Sequence, residues 1–470
     1  MKSKLITQSF FVLSIYFFST NANASSDLLI VTSDYSTGST AFLPADSEHA
    51  EINVLAIHSD AVGHYQNGNI YIVNRLGQDN ILVLNPENPS LPILQFSVGN
   101  GANPHDIEII RPNKAYVTLY ERPELLVVNP TNGVEIKRVD LSIFADSDGL
   151  PEVSQIISVG NVAYLSCQRL DRTTNWGPAD KSYIILVDKY SDKLIDTNQK
   201  LSGVQGIRLS VSNPNRMINV GRKLIVSGSA HFGDRNGGID IIDLDTQMSL
   251  GIAIDEAALG GDLNAIAMLD ESRGYAVISD ENFTNSVLPF NLTSKTVGKA
   301  LTGLSGGYIA DIVIEDGRLI VADQGSFSDP KSVGLKIFDA ENGDLLVSKI
   351  DTGLPPVSII ILDSPTVPTA VNALIPLPKE NSLGTVYPNP FNSNVSIPFT
   401  LAENSLLRIT VYDALGRQVK TLANNAFPLG FHRMNWNGQD QKGIPVGNGL
   451  YFIHMSTTTQ SFQTKVLLLK

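Results

Sequence analysis

Short runs of Val, Ile, Leu and Tyr, separated by clusters of Gly, Asn, Asp and Pro, make up most of residues 27–362. Almost none of these runs has the spacing of three and four residues that an amphipathic helix requires. Apolar runs of this length, bounded by turn residues, are typical of strands. The pattern therefore predicts an all-β fold for this part of the chain.

One strand pattern recurs at intervals of roughly 45 to 60 residues, the length of a four-stranded propeller blade. The copies are GNIYIVN (68–74), NKAYVTL (113–119), GNVAYLS (160–166), GRKLIVSG (221–228), RGYAVIS (273–279) and GRLIVAD (317–323). An apolar strand precedes each copy, and two further strands follow. A single such unit cannot bury both of its faces, so the pattern predicts blades packed around a common axis.

The two ends of this region supply the strands of a seventh blade. VSIIIL (357–362) has the pattern of a first strand, LLIVTSD (28–34) that of a second, and TAFLP and INVLAI those of a third and fourth. A blade assembled from both ends closes the ring and removes exposed strand edges. We therefore predict a seven-bladed β-propeller over residues 25–363. The repeat resembles the YVTN and lactonase-like propellers of bacterial surface and periplasmic proteins, which implies a fold rather than a function.

The first residues predict a signal peptide over residues 1–24. Lys2 and Lys4 precede the apolar run 10–18, and Ala22-Asn23-Ala24 supplies the small residues of a cleavage site. The competing interpretation, a membrane anchor, is weaker because the run is far shorter than the roughly 20 residues that span a bilayer. No later segment is long enough either, so we expect no transmembrane segment in the mature chain.

The amino-acid composition is that of a folded protein and excludes several kinds of cysteine-based site. Hydrophobic residues make up 43% and charged residues 17%, as in folded proteins. Cys167 is the only cysteine, which excludes an internal disulfide, a Cys-rich zinc cluster and covalent haem attachment. We expect Cys167 to be a buried small apolar residue.

The net charge of −13 is unevenly distributed. The chain from Leu383 onward has seven Lys/Arg and three Asp/Glu, and the signal peptide has two lysines, which leaves −19 for residues 25–382. Such a domain repels nucleic acid and anionic lipid and attracts divalent cations. We therefore expect no nucleic-acid partner, and a divalent cation is the only cofactor that the composition favours. The alternative is an acidic surface that keeps a secreted protein soluble.

In a propeller, the connections into each first strand and the loops between second and third strands lie on one face, around the mouth of the central channel. We call this the rim face. Two long loops at this face, 168–182 and 228–238, carry aromatic and charged residues, a common way to present a binding site. The alternative is tolerated insertions with solvated acidic residues. The predicted binding residues are His105, Asp106, Arg122, Arg169, Trp176, His231, Asp262, Asp280, Asp311 and Asp323.

A more specific hypothesis than a general binding site is a metal site at the channel mouth. His105 and Asp106, joined across the channel by His231, Asp262 or Asp311, would supply the mixed nitrogen and oxygen ligands that suit Zn²⁺ or Ca²⁺. The alternative is that these residues pair with the arginines of the rim, which are Arg75, Arg122 and Arg169.

Catalytic motifs are mostly missing from the sequence. It has no HExxH and no GxxxxGK[ST], and GLSGG (303–307) matches GxSxG only between strands, where the strand-turn-helix of a nucleophile elbow is not expected. Two tryptophans do not supply the repeated motifs of quinone-dependent propeller dehydrogenases. We predict a binding module for a partner, glycan or ion, with no catalytic residue assigned. The alternative is a metal-assisted hydrolase or lactonase that acts at the channel mouth.

Residues 364–382 are rich in proline, as in a semi-rigid linker. Beyond them come about seven short strands in fewer than 90 residues, a pattern that predicts a small Ig-like sandwich over residues 383–470. In LRITVYD (407–413), apolar and polar residues alternate with the period of a half-buried strand.

The last domain carries four segments in the order of a known family: YPNPFN (387–392), ITVYDALGRQVKTL (409–422), GFHRMNWNGQDQKGIPVGNGLYFIHM (430–455) and KVLLLK (465–470). They resemble the type A sorting domain of the type IX secretion system, which is related to the Ig-like domain of the flagellar hook-capping protein. The sorting motif comprises Tyr387, Pro388, Asn389, Pro390, Phe391 and Asn392. One departure is Ser393, where the common form has a third proline.

The resemblance implies a cargo label that is read by the type IX secretion machinery. After entry to the periplasm, such a domain directs its protein across the outer membrane and is usually cleaved, so that the protein is released or attached to surface lipopolysaccharide. The alternative is an uncleaved structural module. We expect Asp413, Arg417 and Trp436 to be turn and core residues rather than a site.

Overall fold

The computed structural model describes residues 26–362 apart from 46, 175 and 327, and residues 381–469 apart from 385, 387, 388, 393, 394, 404, 428 and 429. The predicted signal peptide, nearly all of the predicted linker, and Tyr387 and Pro388 of the sorting motif lie outside these residues. The chain divides into two compact units at the boundary between Val371 and Asn372. No described helix is long and apolar enough to cross a membrane.

The first unit consists of antiparallel sheets that we number as blades in chain order. The strands before blade 1 are β1 (Leu28–Ser33), β2 (Gly38–Leu43) and β3 (Ala56–Ile57). Blade 1 comprises β4 (Ala61–Gln66), β5 (Asn69–Asn74), β6 (Asn80–Asn85) and β7 (Asn88–Ser97). Blade 2 comprises β8 (Pro104–Arg111), β9 (Lys114–Leu119), β10 (Glu124–Asn129) and β11 (Val134–Asp140).

Blade 3 contains additional elements. A 3-10 helix (Ser142–Phe144) precedes β12 (Val153–Val159) and β13 (Val162–Cys167). The long loop that follows contains β14 (Leu170–Asp171), a 3-10 helix (Arg172–Thr174) and β15 (Gly177–Pro178). The blade continues with β16 (Tyr183–Asp188), β17 (Lys193–Leu194) and β18 (Ile207–Arg208), the last of which pairs with β16. Blade 4 comprises β19 (Pro214–Val220), β20 (Lys223–Gly228), β21 (Gly238–Asp243) and β22 (Met248–Asp255).

The remaining blades follow after one short helix, α1 (Glu256–Leu259). Blade 5 comprises β23 (Asp262–Met268), β24 (Arg273–Ser279), β25 (Asn285–Asn291) and β26 (Thr296–Val297). Blade 6 comprises β27 (Ile309–Glu315), β28 (Arg318–Asp323) and, after a 3-10 helix (Pro330–Ser332), β29 (Gly334–Asp339) and β30 (Leu345–Ile350). The last strand of the unit is β31 (Pro356–Ile361).

Strand β31 completes blade 7 with the strands from the beginning of the chain. The sheet order is β3-β2-β1-β31, and β1 pairs antiparallel with β31 from Leu28 opposite Ile361. The first strands of successive blades contact one another around the axis, and β31 contacts both β27 and β4. The predicted seven-bladed propeller, closed by its two ends, is confirmed.

Burial explains why the repeat was visible in the sequence. All six residues of β9 are buried, because the second strand of a blade is covered on both faces by the neighbouring blades. Six of the seven residues in the outer strand β11 are exposed, and Val139 alone is buried there. The apolar clusters lie between successive blades, and one of them joins Val83 of blade 1 to Ile107 and Val117 of blade 2.

The second unit is a two-sheet sandwich. One sheet contains β32 (Ser382–Leu383), β33 (Val395–Leu401) and β36 (Gly430–Trp436), and the other contains β34 (Ser405–Asp413), β35 (Gln418–Phe427), β37 (Gly449–Ser456) and β38 (Ser461–Leu468). Trp436 is buried in its core, with ring centroids 5.4 Å from Phe391 and 5.0 Å from Tyr451. The Asp413 carboxylate accepts hydrogen bonds from the backbone N–H groups of Leu415 and Arg417 in the following turn.

The described part of the sorting motif is attached to the last strand. The N–H of Phe391 donates to the carbonyl of Leu467 at 2.9 Å, and the N–H of Leu469 donates to the carbonyl of Phe391 at 2.8 Å. The Asn389 side chain accepts from the N–H of Leu467 and donates to the carbonyl of Lys465. The motif therefore extends the sheet of β38 in parallel, with the Phe391 ring in the core.

Candidate functional site

A cavity of about 490 Å³ lies in the channel of the propeller. Residues from the first strands of six of the seven blades line it. Its titratable side chains are His64, Arg75, His105, Asp106, Glu108, Arg216 and Asp311. The volume is in the range of pockets that hold small molecules.

Several acidic side chains of the cavity hold neighbouring blades together. First strands of adjacent blades do not pair as sheet neighbours, so their inward backbone N–H groups need other acceptors. Asp106 Oδ2 accepts from the N–H of Ile156 in the next blade at 3.0 Å. Asp311 Oδ2 accepts from the N–H of Ile359 in the next blade at 2.9 Å.

Glutamine side chains serve the same purpose at other junctions. Gln66 Oε1 accepts from the N–H of Ile109 at 2.7 Å, and Gln155 Oε1 accepts from the N–H of Met217 at 2.7 Å. The channel wall is therefore polar partly because the propeller needs side-chain acceptors there.

His64 and Asp106 form a close pair of titratable groups in the cavity. His64 Nε2 lies 3.0 Å from Asp106 Oδ1, but this nitrogen makes no hydrogen bond of good geometry among the described residues. Burial lowers the pKa of His64 to about 4 and raises the pKa of Asp106 to about 7. At neutral pH the imidazole is therefore uncharged.

His105 is also held in the neutral state. Its ring stacks on Tyr120 with centroids 4.1 Å apart, and Nδ1 lies 3.2 Å from Ser154 Oγ. Burial, together with the positive charge of Arg75, lowers the pKa of His105 to about 3. The stacking fixes the ring against the channel wall.

The arginines of the cavity are already paired with carboxylates. Arg216 Nη1 lies 2.8 Å from Asp311 Oδ1, and Arg75 forms an ion pair with Asp60. Among the described residues, Asp106 and Glu108 have no arginine or lysine partner within ion-pair distance. Burial raises the pKa of Glu108, which accepts hydrogen bonds from Gln66 Nε2 and the N–H of Ser158. The acidic side chains of the cavity therefore outnumber its arginines.

Three of the ten predicted binding residues, His105, Asp106 and Asp311, line this cavity. Two others are buried acceptors that hold rim loops. Asp262 Oδ1 accepts from the N–H of Gly233 at 2.8 Å, and Asp323 accepts from the N–H groups of Ser305 and Gly325, both at 2.9 Å.

The other five predicted residues lie on four rim loops, with Arg169 and Trp176 on the same one. Arg122 donates to the carbonyl of Asn100 at 2.9 Å, and Arg169 donates to the carbonyl of Lys181 at 3.0 Å. His231 Nδ1 lies 3.4 Å from Asp234 Oδ2. The Asp280 carboxylate accepts from backbone N–H groups of its own loop, and the Trp176 ring packs against the Arg172 guanidinium at 4.6 Å.

The predicted metal ligands His105, Asp106, His231, Asp262 and Asp311 do not form a group of three with mutually adjacent ligand atoms. The described residues contain one such group, Asp146, Asp148 and Glu152, whose ligand atoms lie within 4.8 Å of one another. Arg172 Nε approaches Asp148 at 3.1 Å and Glu152 at 3.3 Å, so a guanidinium already compensates this group. A metal site stays a prediction.

His64, Glu108 and Arg216 also line the cavity and were not among the residues predicted from the sequence. A signal for two of them was present, because His64 with Gln66 and Asp106 with Glu108 place polar residues at alternating positions of first strands. Such a period of two indicates a polar strand face. Arg216 has no comparable pattern around it.

The C-terminal unit matches a known family. Residues 385–469 match the model described as the secretion system C-terminal sorting domain. No curated protein matches the chain.

Solved structures are similar to the chain at low identity. A protein from Lactobacillus plantarum is 14% identical, with 72% of this chain and 100% of that chain covered and a TM-score of 0.50. PorZ, described as a surface component of the type-IX secretion system of Porphyromonas gingivalis, is 14% identical, with 92% of this chain covered and a TM-score of 0.43. This chain spans 63% of the PorZ chain. A candidate 6-phosphogluconolactonase from Bacteroides fragilis is 12% identical over 73% of this chain and 99% of that chain, with a TM-score of 0.49.

Identities at this level show a shared fold and transfer no activity. The sorting domain is the more specific match, because its family model covers nearly the whole second unit. The chain is therefore a β-propeller protein whose C-terminal sorting domain directs its export to the cell surface or the medium.

Proposed function

We propose that the propeller is an exported binding module that holds a small polar ligand, such as a sugar unit or a cation, in its channel. The observation that carries the proposal is the cavity of about 490 Å³ lined by seven titratable side chains. Pockets of this size with a few convergent polar groups are the usual sites of small ligands.

The charges of the cavity support this class of ligand. Asp106 and Glu108 have no arginine or lysine partner, and His64 Nε2 makes no hydrogen bond among the described residues. Hydroxyl groups of a sugar, or a cation, satisfy carboxylate and imidazole groups of this kind. An anionic ligand would meet the acidic excess of the wall.

Filling the cavity tests the proposal. Ser358 lines the cavity, and Ser358→Phe places a ring inside it. We expect at least one ligand from a panel of neutral monosaccharides, Ca²⁺ and Zn²⁺ to raise the melting temperature of the wild-type propeller and to bind in calorimetry. Binding should be lost in Ser358→Phe and kept in Ser294→Phe, where the serine lies on an exposed outer turn. Equal binding by both variants, or no binding by the wild type, contradicts the proposal.

The alternative function is metal-assisted hydrolysis at the channel mouth. The observation that favours it is the His64–Asp106 pair, because perturbed pKa values in a cavity are common at catalytic sites. Metal analysis of the purified propeller separates the two functions. A stoichiometric transition metal that is lost in His105→Ala and Asp106→Asn, together with metal-dependent hydrolysis of a lactone by the wild type, supports the hydrolase, and a metal-free propeller that binds a sugar contradicts it.

A further inference from the structure

A second surface, separate from the channel cavity, carries exposed aromatic residues around one half of the rim face. We call it the aromatic arc, and it extends from blade 4 to blade 7. Its members, with their exposed fractions, are Phe232 (44%), Phe283 (70%), Tyr308 (48%) and Tyr35 (70%).

The four side chains lie on loops that contact one another. The rings of Phe232 and Phe283 stack in parallel, with centroids 5.3 Å apart and an angle of 5° between their planes. Asn285, two residues after Phe283, accepts a hydrogen bond from the N–H of Ile309, the residue after Tyr308.

Gln324 links the remaining two tyrosines. Its N–H donates to the carbonyl of Tyr308 at 2.9 Å, and its side-chain oxygen accepts from Tyr35 Oη at 2.9 Å. The arc is therefore one surface built from neighbouring blades rather than four scattered residues.

The loops of the arc carry an unbalanced negative charge. The loops that carry its members (34–37, 229–237, 280–284 and 298–308) and the neighbouring rim loops 324–333 and 351–355 contain six acidic residues, Asp34, Asp234, Asp280, Glu281, Asp329 and Asp351, and three basic residues, Arg235, Lys299 and Lys331. Among the described residues, Asp34, Asp280 and Glu281 form no ion pair. Backbone hydrogen bonds in its own loop lower the pKa of Asp34, so this carboxylate stays ionised at neutral pH.

On the other half of the rim face, arginine side chains pair with acidic residues. Arg75 pairs with Asp60, and Arg172 pairs with Glu121, Asp148 and Glu152. Arginines therefore compensate several acidic groups on that side, and its exposed aromatic ring, Trp176, packs against Arg172.

We infer that the aromatic arc is a docking surface for a basic protein segment whose arginine or lysine side chains lie on the aromatic rings. Cations are attracted to the faces of aromatic rings, most strongly where nearby groups are negative. The carboxylates of the arc loops supply that negative potential. Exposed aromatic side chains in a cluster are also the residues that contribute most to protein interfaces.

A labelled peptide tests this inference directly. The probe is a fluorescent nine-residue peptide of alternating arginine and glycine, followed by fluorescence anisotropy on the full-length protein. The comparison peptide replaces arginine with glutamate, and maltohexaose represents a neutral glycan in a calorimetric titration. We expect the arginine peptide alone to bind, and its affinity to fall as salt is raised from about 50 to about 300 mM, because charge attraction is screened.

Matched variants locate the binding surface. Phe283→Ala should weaken peptide binding by about tenfold or more, as expected for a central aromatic contact. Tyr190→Ala is the control, because Tyr190 is 68% exposed on a turn between third and fourth strands, at the opposite face.

Glu281→Gln with Asp351→Asn should weaken binding and flatten its salt dependence. Ser358→Phe, which fills the channel, should leave peptide binding unchanged and so separates this surface from the channel site.

Three results would overturn the inference. The first is no binding of the arginine peptide to the wild-type protein. The second is equal weakening by Phe283→Ala and Tyr190→Ala, which would indicate nonspecific attraction to an acidic protein. The third is binding of maltohexaose, but not of the arginine peptide, in a manner that depends on Phe283, which would identify the partner as a glycan.

Discussion

At the scale of single residues, several side chains have a structural role and also shape the cavity. Asp106 accepts hydrogen bonds from the N–H groups of Ile107 and Ile156 and faces His64. A change at Asp106 therefore affects both folding stability and binding, and stability has to be measured before any loss of binding is interpreted.

Asp106 should make stability depend on pH. Its pKa is raised to about 7 in the folded chain, so the folded state binds the proton more tightly than the unfolded state. The contribution is fully present below pH 4 and is lost as the pH rises through 7. The lowered pKa of His64 acts in the opposite direction between about pH 4 and 6.5. Urea unfolding should therefore show a smaller advantage of the wild type over Asp106→Asn at pH 8 than at pH 5. A constant advantage would contradict the raised pKa.

Arg172 is a second residue with a measurable structural role. It pairs with Glu121, Asp148 and the fully buried Glu152. Removal of the guanidinium leaves a buried carboxylate uncompensated, at a cost of about 3 kcal/mol. Arg172→Met should therefore lower the free energy of unfolding far more than Arg222→Met, whose exposed pair with Asp245 contributes about 0 to 1 kcal/mol. Equal effects in chemical denaturation would show that the pairs of Arg172 do not stabilise the fold.

At the scale of elements, the first strand of each blade has two roles. Its backbone forms the inner edge of the sheet, and its side chains connect it to the next blade. Gly63 shows how close these strands come, because a Cβ atom there would lie 2.1 Å from Ile360 Cδ1 of blade 7. The polar residues of these strands are therefore explained in part by folding.

The junction between blades 6 and 7 can be tested through Asp311. Its carboxylate accepts from the N–H of Ile359 and pairs with Arg216. Asp311→Ala leaves a partly buried guanidinium and a backbone N–H without this acceptor, at a cost of about 3 kcal/mol. Chemical denaturation should show this loss, whereas Asp351→Ala on an exposed loop should change the free energy of unfolding by less than about 0.5 kcal/mol. Similar losses in the free energy of unfolding for the two variants would mean that Asp311 does not stabilise the junction between blades 6 and 7.

At the scale of the whole molecule, folding and export belong to different parts of the chain. The propeller closes on itself through β1 and β31, and the sorting domain has its own core around Trp436. Each unit therefore has the contacts that it needs to fold by itself.

A truncation experiment tests this division. A chain that ends at Val371 should melt within a few degrees of the first transition of the full chain, because the ring remains complete. A chain that begins at Ser59 lacks β1 to β3, which exposes the edge of β31, and it should aggregate or fail to fold. Normal folding of the second variant, or loss of folding in the first, would contradict the division.

Passage across the outer membrane should depend on the sorting domain. In a bacterium with a type IX secretion system, the full chain should reach the surface or the medium, and a chain that ends at Ser382 should remain in the periplasm. Intact mass of the exported protein reports on cleavage. Exported material that still contains Lys470 would support the uncleaved alternative.

Features that depend on residues close together in the sequence were predicted, and features that depend on distant residues were not. Second strands such as β5 and β9 are buried on both faces, so their apolar runs are visible locally. The long loop 168–182 was predicted, but its ribbon of β14 and β15 was not, because two paired residues leave no periodic pattern. Of the aromatic arc, only Phe232 lies on a loop that was predicted to present a binding site, 228–238, because Phe283, Tyr308 and Tyr35 are far apart in sequence.

The sequence by itself determined the compartment, the repeat and the order of the domains, because each depends on residues close together in the chain. Hydrophobic runs, turn residues and the segments of the sorting domain are all local signals. Only the tertiary structure decided which polar residues share the channel and which aromatic residues share the rim. His64 of blade 1 lies against Asp106 of blade 2. Tyr35 donates a hydrogen bond to Gln324, although the two residues are 289 positions apart in the sequence. The physical reason is that closing the ring creates both surfaces, and the spacing of residues in the sequence does not determine distances across a closed ring.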